Sequence, residues 1–345
     1  MEITAEKIIQ QLHKGEQVAN VIAVFGEEGY YKSKIAAALP PAVFGDADVA
    51  DREITVFERD TDLQELSTAI NSYPFFSGRS LVIIKDEKLW GGNKEAGEKR
   101  KQQQEDLAAL LADVPEHCQV LLLGEKIDKR SKLYKSLLKT AAMVECKSIR
   151  SYQLKPWLDD QAAARGCRFE YEATQLIMEI LAVTDNAPLL LLEQEIEKLS
   201  IYAGNRKIWT KDDVEQVFAA LPEVSRFALL NAIAEKRLGQ VLELLGEERK
   251  HGNTILALNG LISFQLRRLG RVQELTAARM SQGEIASELK AAPFAVKKMV
   301  EQSRRFAPGV LEKALLELSQ LNIEVRYGGR QFAKLEEILI RLLGA

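Results

Sequence analysis

The chain is poor in the residues that build disulfide frameworks and metal sites. Its 345 residues include three cysteines, Cys118, Cys146 and Cys167, and three histidines, His13, His117 and His251. The cysteines are odd in number and lack close pairing. That argues against a disulfide scaffold or a zinc knuckle, fits a reducing cytoplasm, and reads as small residues of the interior. The histidines fall into no ligand or triad spacing, so no catalytic residue, metal or cofactor is assigned. Long hydrophobic runs are also lacking: the longest are strand-length, far short of the roughly 20 residues of a membrane span, so no membrane contact is expected. The start, Met1 to Lys7, is acidic and helix-like and is not a signal peptide, so a cytoplasmic location is expected. Nor is there a large excess of one charge: the net charge is −3, which by itself does not indicate a nucleic-acid binder. No nucleophile elbow, HExxH or CxxC occurs.

What is present is 46% hydrophobic and 28% charged sequence, the composition of an ordinary globular protein. The length is too great for one core, so two or three domains are expected. Charge is unevenly spread. Residues 260–345 hold 14 Lys and Arg against 9 Asp and Glu, whereas the first 259 hold 33 against 41. An acidic body with a mildly basic end is compatible with contact to a phosphate backbone, and equally with a helical bundle that binds other subunits.

Through residue 149 strands and helices alternate. Strands are expected at Val21–Phe25, Glu53–Phe57, Ser80–Ile84, Gln119–Leu123 and Met143–Cys146. Helices are expected at about Tyr31–Leu39, Asp62–Ile70, Ala96–Ala112 and Lys132–Thr140, with a break at Trp90-Gly91-Gly92-Asn93. This alternation indicates a parallel α/β sheet with right-handed crossovers. Residues 150–221 read as helical, with helices opening at Leu154, at Phe169 (to Val183), at Leu189 (to Tyr202) and at Thr210, an N-cap with Asp213 as its partner. Residues 222–345 read as helical throughout, with breaks near Gly239, Gly252, Gly283, Pro293, Pro308 and Gly328-Gly329.

Two short segments carry the functional signal. The first strand leads into Gly26-Glu27-Glu28-Gly29-Tyr30-Tyr31-Lys32-Ser33, where a phosphate-binding loop would sit. Lys32-Ser33 imitates the end of such a loop, but Tyr31 replaces the required glycine. Glu27 and Glu28 stand where phosphates would approach, and Tyr30 and Tyr31 are bulky where open backbone is needed. Nucleotide binding is therefore not expected. The second segment is Tyr73-Pro74-Phe75-Phe76-Ser77-Gly78-Arg79, between an amphipathic helix and a buried strand. Successive residues point different ways, so both phenylalanines are not expected in the core. Local pattern leaves two readings open: turn-packing residues, or an exposed anchor for a partner's pocket.

The order and spacing of these pieces resemble the delta subunit of the bacterial DNA polymerase III clamp loader, over nearly the whole chain. The resemblance rests on Val24 to Tyr30, Pro74 to Val82, Leu192 to Leu199, Phe227 to Ile233 and the closing Tyr327-Gly328. One departure is Gly29, where the family often has an acidic residue. The resemblance implies an N-terminal RecA-like (AAA+-like) α/β domain at 1–149 with a degenerate, non-binding loop. It further implies a small helical lid domain at 150–221 and an all-α collar domain at 222–345. It implies a subunit without ATPase or polymerase chemistry of its own, working inside the DNA polymerase III holoenzyme, a DNA-directed DNA polymerase. Phe75 and Phe76, with Tyr73 and Pro74, match the element that enters a pocket on the sliding clamp (the beta subunit) and opens the ring. Partners implied are that clamp, the tau/gamma ATPase subunits and delta prime in a pentameric loader, and primed DNA, which Tyr327 matches a residue positioned to face. Two rival readings are an ATPase motor using Lys32-Ser33 and an autonomous DNA-binding protein using the basic C-terminal region; no helix-turn-helix, RRM or zinc motif supports the latter.

Overall fold

The computed structural model describes residues 2–90, 98–182, 186–291, 293–327 and 332–344. The expected features at Gly91, Gly92, Asn93, Ala96, Val183, Gly328 and Gly329 lie outside the described residues. The chain divides into two compact units, Met1–Ser148 and Ile149–Ala345.

The first unit is built on five strands: β1 (Val21–Phe25), β2 (Glu53–Phe57), β3 (Ser80–Ile84), β4 (Cys118–Gly124) and β5 (Ala142–Glu145). Their order is β2-β3-β4-β1-β5, and every neighbouring pair is parallel. Helix α1 (Ala5–His13) precedes β1; the crossovers that parallel neighbours require are supplied by α2 (Gly29–Phe44), α3 (Leu63–Asn71), α4 (Glu87–Trp90) with α5 (Glu98–Ala112), and α6 (Lys132–Thr140). One face of the sheet, with Ala23, Phe25, Val82 and Val120, packs on Leu66 and Ile70 of α3, Leu107 of α5 and Leu133 of α6. The central strands are buried on both faces, which explains their unbroken apolar sequence. The two edges differ. Beside β5, the Ile3 N–H donates to Met143 O at 3.0 Å, so residues 2–3 pair with that strand. β2 has strand pairing on one side only, and Ile54, Thr55 and Val56 are exposed.

The second unit is largely helical: α7 (Lys155–Ala163), α8 (Tyr171–Leu181), α9 (Leu189–Ala203), α10 (Lys211–Val217), α11 (Pro222–Ala234), α12 (Leu238–Lys250), α13 (Ile255–Ala277), α14 (Gln282–Glu288), α15 (Pro293–Ser303), α16 (Val310–Arg326) and α17 (Phe332–Gly344). Leu258, Ile262, Leu266 and Leu269 of α13, the longest of them, recur at helical spacing and join one core with Leu318 of α16 and Leu339 of α17.

Several expected boundaries move. α2 continues beyond Leu39 through Pro40 and Pro41 to Phe44, ending at Gly45 with φ 56°. Burial of Val43 and Phe44 holds a turn that proline alone would discourage. Phe169 is not helical. It lies in a two-residue strand, β6 (Arg168–Phe169), parallel to β7 (Ile208–Trp209), with its ring edge-on to Trp209 at 5.0 Å. The breaks expected near Gly239 and Gly283 are present just before them, between α11 and α12 and between α13 and α14, with the glycines themselves in the first turns of α12 and α14. Cys118 and Cys146 are buried, whereas Cys167 is only half-buried.

Thr210 and Asp213 form the expected capping box on α10. Thr210 Oγ1 accepts from the Asp213 N–H at 3.3 Å, and Asp213 Oδ2 accepts from the Thr210 N–H at 2.9 Å. Arg206 adds a two-pronged contact, with both oxygens of Asp213 at 2.8 Å. Burial pushes the Asp213 carboxyl upward in pKa, but the bonds from Arg206 and Thr210 outweigh it and hold it below its usual range. A carboxyl that titrates lower folded than unfolded contributes stability that is complete above the unfolded value, about 3.9, and is lost as pH falls through the folded one. Asp213→Ala is therefore expected to destabilise the second unit by about 1–2 kcal/mol at neutral pH. Denaturant unfolding of the full chain should show that difference shrinking at acid pH, below about 4; a difference that is the same at both pH values would exclude the ionised carboxylate as its source.

Candidate functional site

At the end of β1 the chain turns sharply at Gly26, whose φ is 130°. A Cβ there would lie 2.1 Å from Cys146 O, so only glycine fits. The crossing is pinned by the Cys146 N–H donating to Phe25 O at 2.7 Å and the Glu28 N–H donating to Cys146 O at 3.1 Å. Burial raises the Cys146 thiol to about 12, against the opposing pull of Lys32, so it stays protonated at neutral pH.

The loop's polar groups find their partners within the chain. Buried Glu28 is the N-cap of α2, and its Oε1 accepts from the Tyr30 N–H at 3.0 Å. The helix N-terminus, with its exposed donors and positive dipole end, already holds a carboxylate. Lys32 Nζ donates to Gly26 O at 2.9 Å, bending back onto the loop. Tyr30 and Tyr31 are buried with ring centroids 5.1 Å apart. Burial, followed by a hydrogen bond with Glu6, pushes the Tyr31 hydroxyl up in pKa. Glu27 and Ser33 are exposed, and Gly29 opens the helix. An anion at this helix N-terminus would compete with the Glu28 carboxylate for the Tyr30 N–H.

At the opposite end of the strands lies the aromatic loop. The helix α3 ends where the Ser72 N–H donates to Thr68 O at 2.9 Å and the backbone turns extended. Pro74 is buried and forms the foot of the loop. Tyr73 is exposed, and its ring meets His117 edge-on at 5.1 Å. Phe75 is 91% exposed and Phe76 75%, with ring centroids 6.0 Å apart. Neither phenylalanine packs in the core. Gly78, at φ 64°, and a bond from Ser77 Oγ to Arg79 O at 2.7 Å complete the turn into β3.

Sequence reasoning missed the residue that holds this loop. Glu53, the first residue of β2, accepts the N–H of Phe75 at 2.5 Å and of Phe76 at 3.4 Å. The carboxylate presents both rings outward from an ordered backbone. The partners are 22 and 23 positions apart, so no local periodicity could reveal them. Capture of two such rings in an apolar pocket would bury roughly 150–250 Å² each, enough for several kcal/mol.

In the second unit Tyr327 caps the end of α16, its N–H donating to Ile323 O and Glu324 O, and its side chain is 89% exposed. It is an outward aromatic face, not junction packing. Among the described residues no cluster of His, Cys, Asp or Glu could hold a metal, and no helix is long and apolar enough to cross a membrane.

Two family models match the chain. One, for the DNA polymerase III delta subunit, spans residues 42–147, and the other, for that subunit's C-terminal domain, spans 223–342. The chain is 28% identical over 338 residues to the DNA polymerase III subunit delta of Bacillus subtilis strain 168, covering 97% of this chain and 95% of the relative. It is 23% identical over 218 residues to a probable DNA polymerase III subunit delta of Aquifex aeolicus strain VF5, 61% of each. Among solved structures, the Bacillus subtilis DNA clamp loader delta protein superposes with a TM-score of 0.62 at 26% identity, covering 99% of this chain and 100% of that one.

Removal of the Glu53 acceptor has a direct readout. In Glu53→Ala the Phe75 and Phe76 amides are expected to exchange hydrogen about tenfold faster, as befits loss of a bond to a charged acceptor. Exchange in α3 and β3 should be unchanged. Unaltered exchange at both amides would show that the carboxylate does not order the loop.

Proposed function

The chain belongs to the family of DNA polymerase III clamp-loader delta subunits, and we propose that it grips the ring-shaped sliding clamp and weakens an interface of the ring so that DNA can enter. The observation that carries this reading is the exposure of Phe75 and Phe76 on a loop tied to the sheet by Glu53. Large aromatic side chains held outward contribute little to the folded monomer and much to a pocket that receives them. Tyr73 and buried Pro74 complete the element.

In this reading the chain works in the cytoplasm within a pentameric loader, beside the tau/gamma ATPase subunits and delta prime, and brings no cofactor and no ATPase chemistry. The filled loop from Gly26 to Ser33 supports that division of labour: hydrolysis belongs to the neighbours and gripping to this chain. The helical unit serves as lid up to residue 221 and as collar from 222, a boundary supported by Pro222 at the first position of α11. Tyr327 offers a ring on which a base of primed DNA can stack without regard to sequence.

Replacing Phe75 and Phe76 together by Ala is expected to abolish clamp binding measured by surface plasmon resonance, with the melting temperature nearly unchanged. Retained affinity, or collapse of the fold, would remove the anchor from this loop. In a reconstituted loader, Lys32→Ala is expected to leave loading on primed template near the wild-type level. Tyr327→Ala should spare assembly in gel filtration and lower loading. Calorimetric ATP binding by the isolated chain that is lost in Lys32→Ala would establish a working nucleotide site. A Tyr327→Ala chain that no longer co-elutes with its partners would assign that ring to subunit packing.

A further inference from the structure

The exposed apolar surface of the first unit does not end at the aromatic loop. Among its described residues, every large apolar side chain that is well exposed falls between positions 49 and 76: Val49, Ile54, Val56, Tyr73, Phe75 and Phe76. Ile54 and Val56 are 40% and 44% exposed and, two residues apart, lie on the same face of β2. β2 is an edge strand with a ladder on one side only. Natural edges are blunted by lysine, proline, a bulge or a covering segment. The opposite edge, β5, follows that rule, since residues 2–3 pair with it. β2 does not: Ile54-Thr55-Val56-Phe57 carries no charge and no proline, and its register with β3 runs unbroken from Glu53 to Phe57. Glu53, at the start of this strand, is also the residue that holds the Phe75 and Phe76 amides. The bare edge and the aromatic anchor are therefore one continuous structure.

We propose that β2 is a second contact for the sliding clamp, in which an extended apolar segment of that partner lies along the open edge against Ile54 and Val56 while its pocket takes Phe75 and Phe76. The proposal rests on the clamp-gripping reading above and deepens it. Strand addition supplies backbone hydrogen bonds, and the alternate side chains supply apolar contact. Two contacts fixed to the same strand would hold the partner in one orientation, which a pair of rings at a loop tip does not do alone.

The test compares two variants of the full chain for clamp binding by surface plasmon resonance: Phe75→Ala/Phe76→Ala, and Ile54→Thr/Val56→Thr, which keeps β-branching and removes apolar surface. The threonine variant is expected to bind about tenfold or more weakly. If only the phenylalanine variant loses binding, β2 is not part of the contact, while the gripping reading stands. If neither variant loses binding, the gripping reading fails and takes this proposal with it. Sedimentation of the free chain addresses the competing occupant: if wild type forms a dimer that the threonine variant abolishes, with clamp affinity unchanged, the edge pairs two copies and the proposal is overturned. Should the threonine variant fail to fold, hydrogen exchange on the wild-type chain decides. Slower exchange at residues 54–57 on adding clamp upholds the proposal, and unchanged exchange there overturns it.

Discussion

A parallel sheet must be covered on both faces, because its strands are apolar on both. That requirement organises the first unit. Five strands are sandwiched by helices, and where the cover runs out, along β2 and the loop that feeds β3, apolar residues are left in solvent. Ile54 and Val56 on the edge strand, and Phe75 and Phe76 on the loop that Glu53 holds, are exposed, whereas equally apolar Val82 and Val120 are buried. Burial of the central strands stabilises the fold. The surface where burial stops is what the chain can offer a partner.

The loop after β1 shows a second way in which a site is decided by what fills it. A helix N-terminus attracts an anion from whatever source is nearest. In this chain the source is Glu28, one residue before the helix, and Lys32 turns to a backbone carbonyl. The helix start and the lysine beside it are both satisfied from within the chain. Glu53 uses the same chemistry for a different end: a carboxylate accepts two backbone N–H groups, but outside a helix, so that a loop is held open and its rings face outward.

The layout was readable from the sequence wherever a period repeats. The strand–helix alternation through residue 149 and the Thr210–Asp213 box follow from local residues, and both are present in the structure. The residues that mark the Gly26–Ser33 loop, Glu28 and Tyr31 among them, are read by type and position, and the structure has both side chains buried. Features built from distant partners were not readable. The β6–β7 ribbon has two residues per strand, too short for any pattern, and Phe169 was drawn into the neighbouring helix. Glu53 looks like an ordinary strand entrance until the fold brings the aromatic loop to it. The continuation of α2 through Pro40-Pro41 runs against local propensity, and depends on Val43 and Phe44 finding a buried seat.

The pair of buried tyrosines at the head of α2 also ties the shape of this loop to the stability of the unit. Tyr30 and Tyr31 pack edge to face with ring centroids 5.1 Å apart, inside the unit. Cutting one such ring back to make room for a phosphate would cost about 3–5 kcal/mol, a large part of the roughly 5–15 kcal/mol that holds a domain together. The Glu28 carboxylate and the Lys32 contact would still stand in the way. Opening space at this helix start is therefore costly one substitution at a time: the rings that close the head of α2 are part of what holds the unit together.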